Sequence, residues 1–163
     1  MSERTAPNPT VLFVCTGNVF RSLAAEYALR SRLGHPTSIV VASAGIEAKA
    51  QPVHEWIRTR LQMKGADVSG HVPRRITGEL IKTASLVIAM GRDHQKFIQR
   101  EFERPVRLFN DLCYGRDEPI LDLHEAIADW QGQPEQSRAY VSSVIDEIWQ
   151  AVPLLFPHLH LLR

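Results

Sequence analysis

The chain has 163 residues, 44% of them hydrophobic and 23% charged, which is typical of one globular domain with its own core. Its 19 basic and 18 acidic residues give a net charge of +1, which excludes the broad basic surface of a nucleic-acid-binding protein. Two cysteines exclude a disulfide scaffold and favour a reducing compartment. Residues 1–9 contain no apolar segment and no apolar run approaches the ~18 residues of a membrane span. We therefore expect a flexible N-terminal tail and a cytoplasmic protein without a membrane partner.

Apolar runs and helical repeats alternate along the chain. The short apolar runs predict buried strands, and the segments between them repeat every three to four residues, as amphipathic helices do. The predicted strands are 11–14, 39–42, 86–90 and 106–109, and the main predicted helices are about 22–33, 53–64, 93–102 and 135–152. This alternation predicts an α/β domain over residues 10–152, with a four-stranded parallel sheet and helices on both faces. Residues 153–163 are expected to form a C-terminal extension.

Residues 110–134, called here the late segment, break this regularity. The segment is long, polar and mixed, and only one helical turn is expected, around His124. Loops of this length inside a domain are usually functional. Ligands of parallel sheets bind at the carboxyl ends of the strands, so the residues after Val14 are the first place to look for a site.

The first strand is followed by a nucleophile inside an anion-binding turn. Residues 15–22, called here the Cys15 loop, read Cys15-Thr16-Gly17-Asn18-Val19-Phe20-Arg21-Ser22. Gly17 and Asn18 tolerate backbone torsions closed to most residues, so successive N–H groups can point at one anion beside the helix N-terminus. The same dipoles and Arg21 favour the thiolate of Cys15, and the guanidinium suits two phosphate oxygens. Ser22 is expected to donate a hydrogen bond to that thiolate.

The alternative interpretation makes Cys15 a buried residue at a strand end and Arg21 a solvated charge. The second cysteine serves as a comparison, because Pro119 and not an arginine stands six residues after Cys113. The position at a strand-to-helix turn, with Gly, Asn and Ser in the expected places, favours a phosphate-binding loop.

The Cys15 loop resembles the signature Cys-x-Gly-Asn-x-Cys-Arg-Ser of the low-molecular-weight protein tyrosine phosphatases. Phe20 is the one departure, since the family has there a second cysteine that can form a protective disulfide with the first. The resemblance continues in family order through 23–26, 43–45, 65–77 and 86–90 and covers most of residues 11–152. It implies a hydrogen-bond network that supports the loop, formed by Asn18, Ser22, Ser43 and His71. Lys49 stands where the family often places an aromatic residue against the substrate.

The general acid is harder to place. A departing tyrosyl oxygen has a pKa of about 10 and needs a proton, and the resemblance implies that an Asp-Pro in the late segment supplies it. This chain has no Asp-Pro, which leaves Asp117, Asp122 and Asp129 as candidates. In the family, the apolar stripe of the last helix begins about a dozen residues after the acid. Asp129 has this spacing without an insertion, and Trp130 then takes the place of the proline, as a wall of the cleft. We predict Asp129, with Asp122 next.

Together these features predict an enzyme that hydrolyses phosphotyrosine in proteins through a cysteinyl-phosphate intermediate, without metal or cofactor. Inorganic phosphate and related oxyanions are expected to bind the same loop, and nucleic acid is not an expected partner. One alternative is arsenate reduction with an external thiol, because some relatives on this fold relay electrons through further cysteines. Here Met90 replaces such a cysteine and Cys113 is a poor relay. The other alternative is a phosphate-binding module that lacks a functional acid.

Overall fold

The computed structural model describes residues 8–162, so most of the predicted N-terminal tail lies outside the described residues. The chain forms the following elements: β1 (Thr10–Cys15), α1 (Arg21–Leu33), β2 (Val40–Gly45), α2 (Glu55–Met63), α3 (Gly78–Thr83), β3 (Leu86–Ala89), α4 (Arg92–Phe102), β4 (Arg107–Leu108), α5 (Phe109–Tyr114), α6 (Leu123–Ala126), α7 (Pro134–Ala151) and α8 (Phe156–Leu159). Two 3₁₀ turns, Val152–Leu155 and His160–Leu162, flank α8. None of the helices within residues 8–162 is both long and apolar enough to cross a membrane.

The four strands form one parallel sheet in the order β2-β1-β3-β4. The predicted α/β class and the four-stranded parallel sheet are therefore confirmed. Strand β1 lies between β2 and β3, so the connections after β1 and after β2 leave in opposite directions across the sheet. The carboxyl end of β1, where Cys15 lies, is thus the point at which parallel sheets of this type bind ligands.

Side chains of β1 alternate between two cores, as the pleat of a strand requires. Val11, Phe13 and Cys15 pack on one face of the sheet, in a core that includes α1 and α7. Leu12 and Val14 pack on the other face, in a smaller core that includes α3 and α4. Burial on both faces explains why the strand reads as an uninterrupted apolar run.

Strand β2 is longer than the sequence indicates. Its predicted end at residue 42 rested on a Ser-Ala-Gly turn signal, yet the strand continues to Gly45, which pairs with Cys15. The glycine is needed for a close approach and not for a turn, because a Cβ atom at this position would collide with the carbonyl oxygen of Thr16. The extension places Ser43 beside the Cys15 loop.

The late segment contains more helix than predicted. The expected turn near His124 is present as α6, whereas α5 was not predicted because only Phe109 and Leu112 bury apolar side chains there. At the other end, the predicted C-terminal extension packs against the domain within residues 153–162. Leu155 and Leu159 are both buried in the same core as β1 and α7.

Candidate active site

The backbone of the Cys15 loop presents several hydrogen-bond donors without acceptors. Asn18 adopts the left-handed region at φ 59°, which turns the chain between β1 and α1. Among residues 8–162, the N–H groups of Gly17, Asn18, Val19 and Phe20 donate no backbone hydrogen bond. Helix α1 begins at Arg21 without a side-chain cap and without an acidic residue in its first turn. Its positive end therefore adds to the donors of the loop and favours an anion there.

Cys15 lies at the base of this loop with 2% of its surface exposed. Its Sγ atom is 2.8 Å from Ser22 Oγ. The Ser22 hydroxyl accepts a hydrogen bond from Asn18 Nδ2 at 3.0 Å, and it can donate its single proton to a sulfur anion. The arrangement suits a cysteine that acts as a thiolate and later leaves as one.

A buried network holds the loop in this shape. Asn18 Nδ2 also donates to Ser43 Oγ at 2.8 Å, and Ser43 in turn donates to Glu26 Oε1 at 2.6 Å. His71 Nε2 lies 2.6 Å from the carbonyl oxygen of Asn18. The structure thus brings together the four side chains that the resemblance assigns to the network.

Two further residues of this network were not predicted. Glu26 is buried in α1, four residues after Ser22 and so on the same face, and it pairs with Arg30 at 2.9 Å. That spacing is a signal that sequence reasoning could have used. Arg74 donates its backbone N–H to Asn18 Oδ1 at 3.0 Å, and no local pattern predicts such a long-range contact.

Arg21 is 1% exposed and bonded on only part of its guanidinium. Nη1 donates to the carbonyl oxygen of Ile120 at 2.7 Å, and Nη2 lies 3.4 Å from Asp122 Oδ2. Glu125 Oε1 is 3.8 Å from Nη1. The buried Nε–H has no partner among the described residues. Buried donors are rarely left unsatisfied, so this N–H marks a place for an oxyanion.

The three candidate acids occupy different environments. Asp122 contacts Arg21 and also caps α6, because its Oδ1 accepts the Leu123 N–H at 2.8 Å. Asp117 is exposed and pairs with Arg92 at 2.9 Å. Asp129 is exposed in the turn after α6 and forms no ion pair within residues 8–162. The general-acid role of Asp129 remains a prediction.

An aromatic cluster holds the turn that contains Asp129. The ring of Trp130 stands edge-on to His54 at 6.3 Å and to Trp56 at 6.4 Å between centroids. His54 and Trp56 belong to the start of α2, which follows the loop after β2. Gln51 of that loop lies against Gly17, so the loop after β2 borders the Cys15 loop, and the turn with Asp129 packs against the start of α2 that follows it.

His94 is a site residue that the sequence analysis missed. It is fully buried in α4, and its Nε2 lies 2.8 Å from Thr16 Oγ1. Burial, reinforced by the positive charge of Arg21, lowers the pKa of His94 to about 4. The ring is therefore neutral near pH 7. His94 stands in the first turn of the polar helix α4, and nothing in the local sequence indicates a contact with Thr16.

The side chains of the remaining thiol and of the positions that depart from the family pattern make no contact described above with Cys15 or Arg21. Burial raises the pKa of Cys113 to about 12, which makes it a weak nucleophile at neutral pH. Phe20 is buried in the core with α1 and α7, so apolar packing occupies the position of the family's second cysteine. Lys49 is exposed in the loop after β2.

Comparisons with known proteins agree with this geometry. A family model described as "Low molecular weight phosphotyrosine protein phosphatase" matches residues 10–160. The low molecular weight protein-tyrosine-phosphatase Ptp of Acinetobacter johnsonii is 33% identical over 91 residues, which are 55% of this chain and 62% of that protein. The chain thus spans about three fifths of that relative's length.

A second relative and a solved structure extend the match. The protein-arginine-phosphatase of Bacillus subtilis is 31% identical over 128 residues, covering 73% of this chain and 77% of that protein. The tyrosine phosphatase Wzb of Escherichia coli K30, solved with sulphate, has a TM-score of 0.70 at 26% identity, covering 88% of this chain and 93% of that chain. With a family model that matches nearly the whole chain, this protein belongs to the low molecular weight phosphotyrosine protein phosphatase family.

Proposed function

We propose that the protein hydrolyses phosphotyrosine in protein substrates through a cysteinyl-phosphate intermediate, without a metal ion. The observation on which the proposal depends is the buried Cys15 Sγ at the base of a loop whose N–H donors, like the buried Nε–H of Arg21, have no partner within residues 8–162. Together these groups supply donors for all the oxygens of a phosphoryl group. The relative Wzb, solved with sulphate, shows a tetrahedral oxyanion bound to a member of the same fold.

The proposed reaction has two displacement steps at phosphorus. The Cys15 thiolate forms a P–S bond while the bond to the tyrosyl oxygen breaks, and that oxygen takes a proton from the general acid. Water then attacks phosphorus, the P–S bond breaks, and the deprotonated acid receives the proton of the water. Ser22 steadies the sulfur as it leaves. In both steps Arg21 and the loop N–H groups stabilise the equatorial oxygens, which suits the loose transition state of phosphoryl transfer.

We propose Asp129 as the general acid and Asp122 as a residue that orients Arg21. Both oxygens of Asp122 are already engaged, one by the Leu123 N–H and the other by the guanidinium. A proton on Asp122 would weaken its attraction to Arg21, which the reaction needs in place. Asp129 has no such contact within residues 8–162, so no ion pair there opposes a proton on its carboxyl group.

The depth of the site favours substrates with a long side chain. Since Cys15 is 2% exposed, the phosphate must enter the loop before the sulfur reaches it. The phosphoryl group of phosphotyrosine stands farther from the peptide backbone than that of phosphoserine. Phosphoarginine has a similar reach, and the similarity to the Bacillus subtilis protein-arginine-phosphatase makes it the second candidate.

The proposal is tested by rates on matched peptides containing phosphotyrosine, phosphoarginine or phosphoserine, and on arsenate with an external thiol, all with a chelator present. We expect the highest kcat/KM for phosphotyrosine and no loss with chelator. A preference for phosphoarginine would favour the second candidate. Preferred turnover of arsenate would contradict hydrolysis as the main activity and would restore the reductase alternative. Absence of turnover with intact phosphate binding would indicate a binding module.

A further inference from the structure

A buried histidine of α4, His94, contacts the side chain of Thr16 in the Cys15 loop. His94 is 0% exposed and lies between two partners. Its Nδ1 accepts the backbone N–H of Gly91 at 2.9 Å, and its Nε2 lies 2.8 Å from Thr16 Oγ1. Thr16 Oγ1 is also 3.4 Å from Nη2 of Arg21. His94 is therefore linked to the catalytic arginine through a single hydroxyl group.

The partners of the ring determine where its proton lies. Because the Gly91 N–H can only donate, Nδ1 must be the acceptor, and the single proton of a neutral imidazole must be on Nε2. His94 therefore donates to Thr16 Oγ1. Arg21 has only donors, so the hydroxyl oxygen accepts from it as well. Both lone pairs of the Thr16 oxygen are then occupied, and its own proton has no acceptor among the described residues.

We propose that His94 is a positioning residue that fixes the Thr16 hydroxyl as a donor to the bound oxyanion and as an acceptor for Arg21. The hydroxyl would otherwise be free to rotate and to turn its proton toward His94. With the ring as donor, that orientation is excluded, and the hydroxyl proton is left for a phosphate oxygen. The inference deepens the proposed function but depends only on anion binding, which is measured without turnover.

Charged groups around His94 agree with a neutral donor. Arg21 faces the ring from α1, Asp93 Oδ1 lies 3.6 Å from Nε2 on α4 itself, and Asp122 faces it from the segment before α6. Burial and Arg21 oppose a second proton on the ring, whereas the two aspartates favour it. A second proton, on Nδ1, would also point at the Gly91 N–H. The balance keeps the ring in its neutral tautomer.

His94 also caps α4, so the test must separate that role from the contact to Thr16. His94→Asn retains an oxygen that can accept the Gly91 N–H but is too short to reach Thr16 as well. Thr16→Val removes the hydroxyl group and leaves the cap intact. His158→Asn and Thr83→Val are matched controls, because each removes a similar hydrogen bond, to Leu112 and to Glu79 respectively, outside the site.

The measurement is the Kd of inorganic phosphate by calorimetry, with each substitution made in the full chain. Hydrogen bonds to charged groups are strong enough that we expect about a tenfold or greater loss of affinity for His94→Asn and for Thr16→Val. The double variant should bind phosphate no more weakly than whichever single variant has the larger loss of affinity. Thr16→Ser should keep most of the affinity that Thr16→Val loses. The two controls should bind phosphate as the parent does.

When His94→Asn folds, either of two results would overturn the inference. One is unchanged phosphate affinity in His94→Asn alongside a loss in Thr16→Val, which would leave His94 as a helix cap only. The other is a double variant whose loss equals the product of the single losses, since residues that act through one another are not independent. If His94→Asn does not fold, Thr16→Val and Thr16→Ser decide the matter, because equal phosphate affinity in these two variants would also refute the role of the hydroxyl. Phosphate binding as proposed, without hydrolysis, would refute the proposed function alone.

Discussion

The buried neutral His94 predicts an acid-sensitive fold. Its pKa falls from 6.5 in an unfolded chain to about 4 in the folded protein. Between these values the unfolded chain binds a proton that the folded chain does not, so stability is lost as the pH falls. Each pH unit in this interval is worth about 1.4 kcal/mol, so His94 alone should cost about 3 kcal/mol of unfolding free energy between pH 7 and pH 4. This is a large part of the stability of an ordinary domain.

Urea unfolding of the parent and of His94→Asn at several pH values from 7 to 4 isolates this contribution. Protonation of carboxylates lowers stability in both proteins, including Asp111 and Asp146, whose pKa values are held low by arginine partners. The difference between the two proteins reports the histidine. We expect the parent to lose stability more steeply, with the two curves converging toward acid pH. Parallel curves would show that His94 titrates normally and would refute the buried, neutral assignment.

Three further predictions concern the chemistry. Arg21→Lys should fail almost as badly as Arg21→Ala, because an ammonium group cannot form two parallel hydrogen bonds to phosphate oxygens; recovery of most of the rate by lysine would show that charge alone suffices. Mild peroxide should inactivate the enzyme with little recovery by thiols, because Phe20 offers no neighbouring thiol; a disulfide between the two cysteines would contradict this. Asp129→Ala should slow phosphotyrosine hydrolysis by ~10²–10⁴-fold and affect an aryl phosphate with an acidic leaving group much less. The same leaving-group dependence in Asp122→Ala would move the acid to Asp122.

The sheet and the Cys15 loop were predictable because their signals are local. A strand buried on both faces reads as an apolar run, and the loop after β1 places its glycine, asparagine, arginine and serine within eight consecutive residues. The order of the strands was not predicted, because the right-handed rule fixes the side of the sheet on which a connection runs and not which strands are neighbours.

The parts that could not be predicted depend on contacts between distant segments. His94 reaches Thr16 across 78 residues, and Arg21 reaches Ile120 across 99. No periodicity in one segment reports such a partner. The turn that contains Asp129 likewise depends on a distant contact, because its Trp130 ring packs against Trp56 at the start of α2.

The central claim is a phosphoryl group carried by Cys15, and it can be measured directly. The enzyme is mixed with a radiolabelled phosphotyrosine peptide, quenched within the first turnover and digested. We predict that the label is found on the peptide that contains Cys15, and that Cys15→Ser retains no more than about 1% of the rate, while still binding phosphate. Label on any other residue, or rapid hydrolysis by Cys15→Ser, would contradict the mechanism.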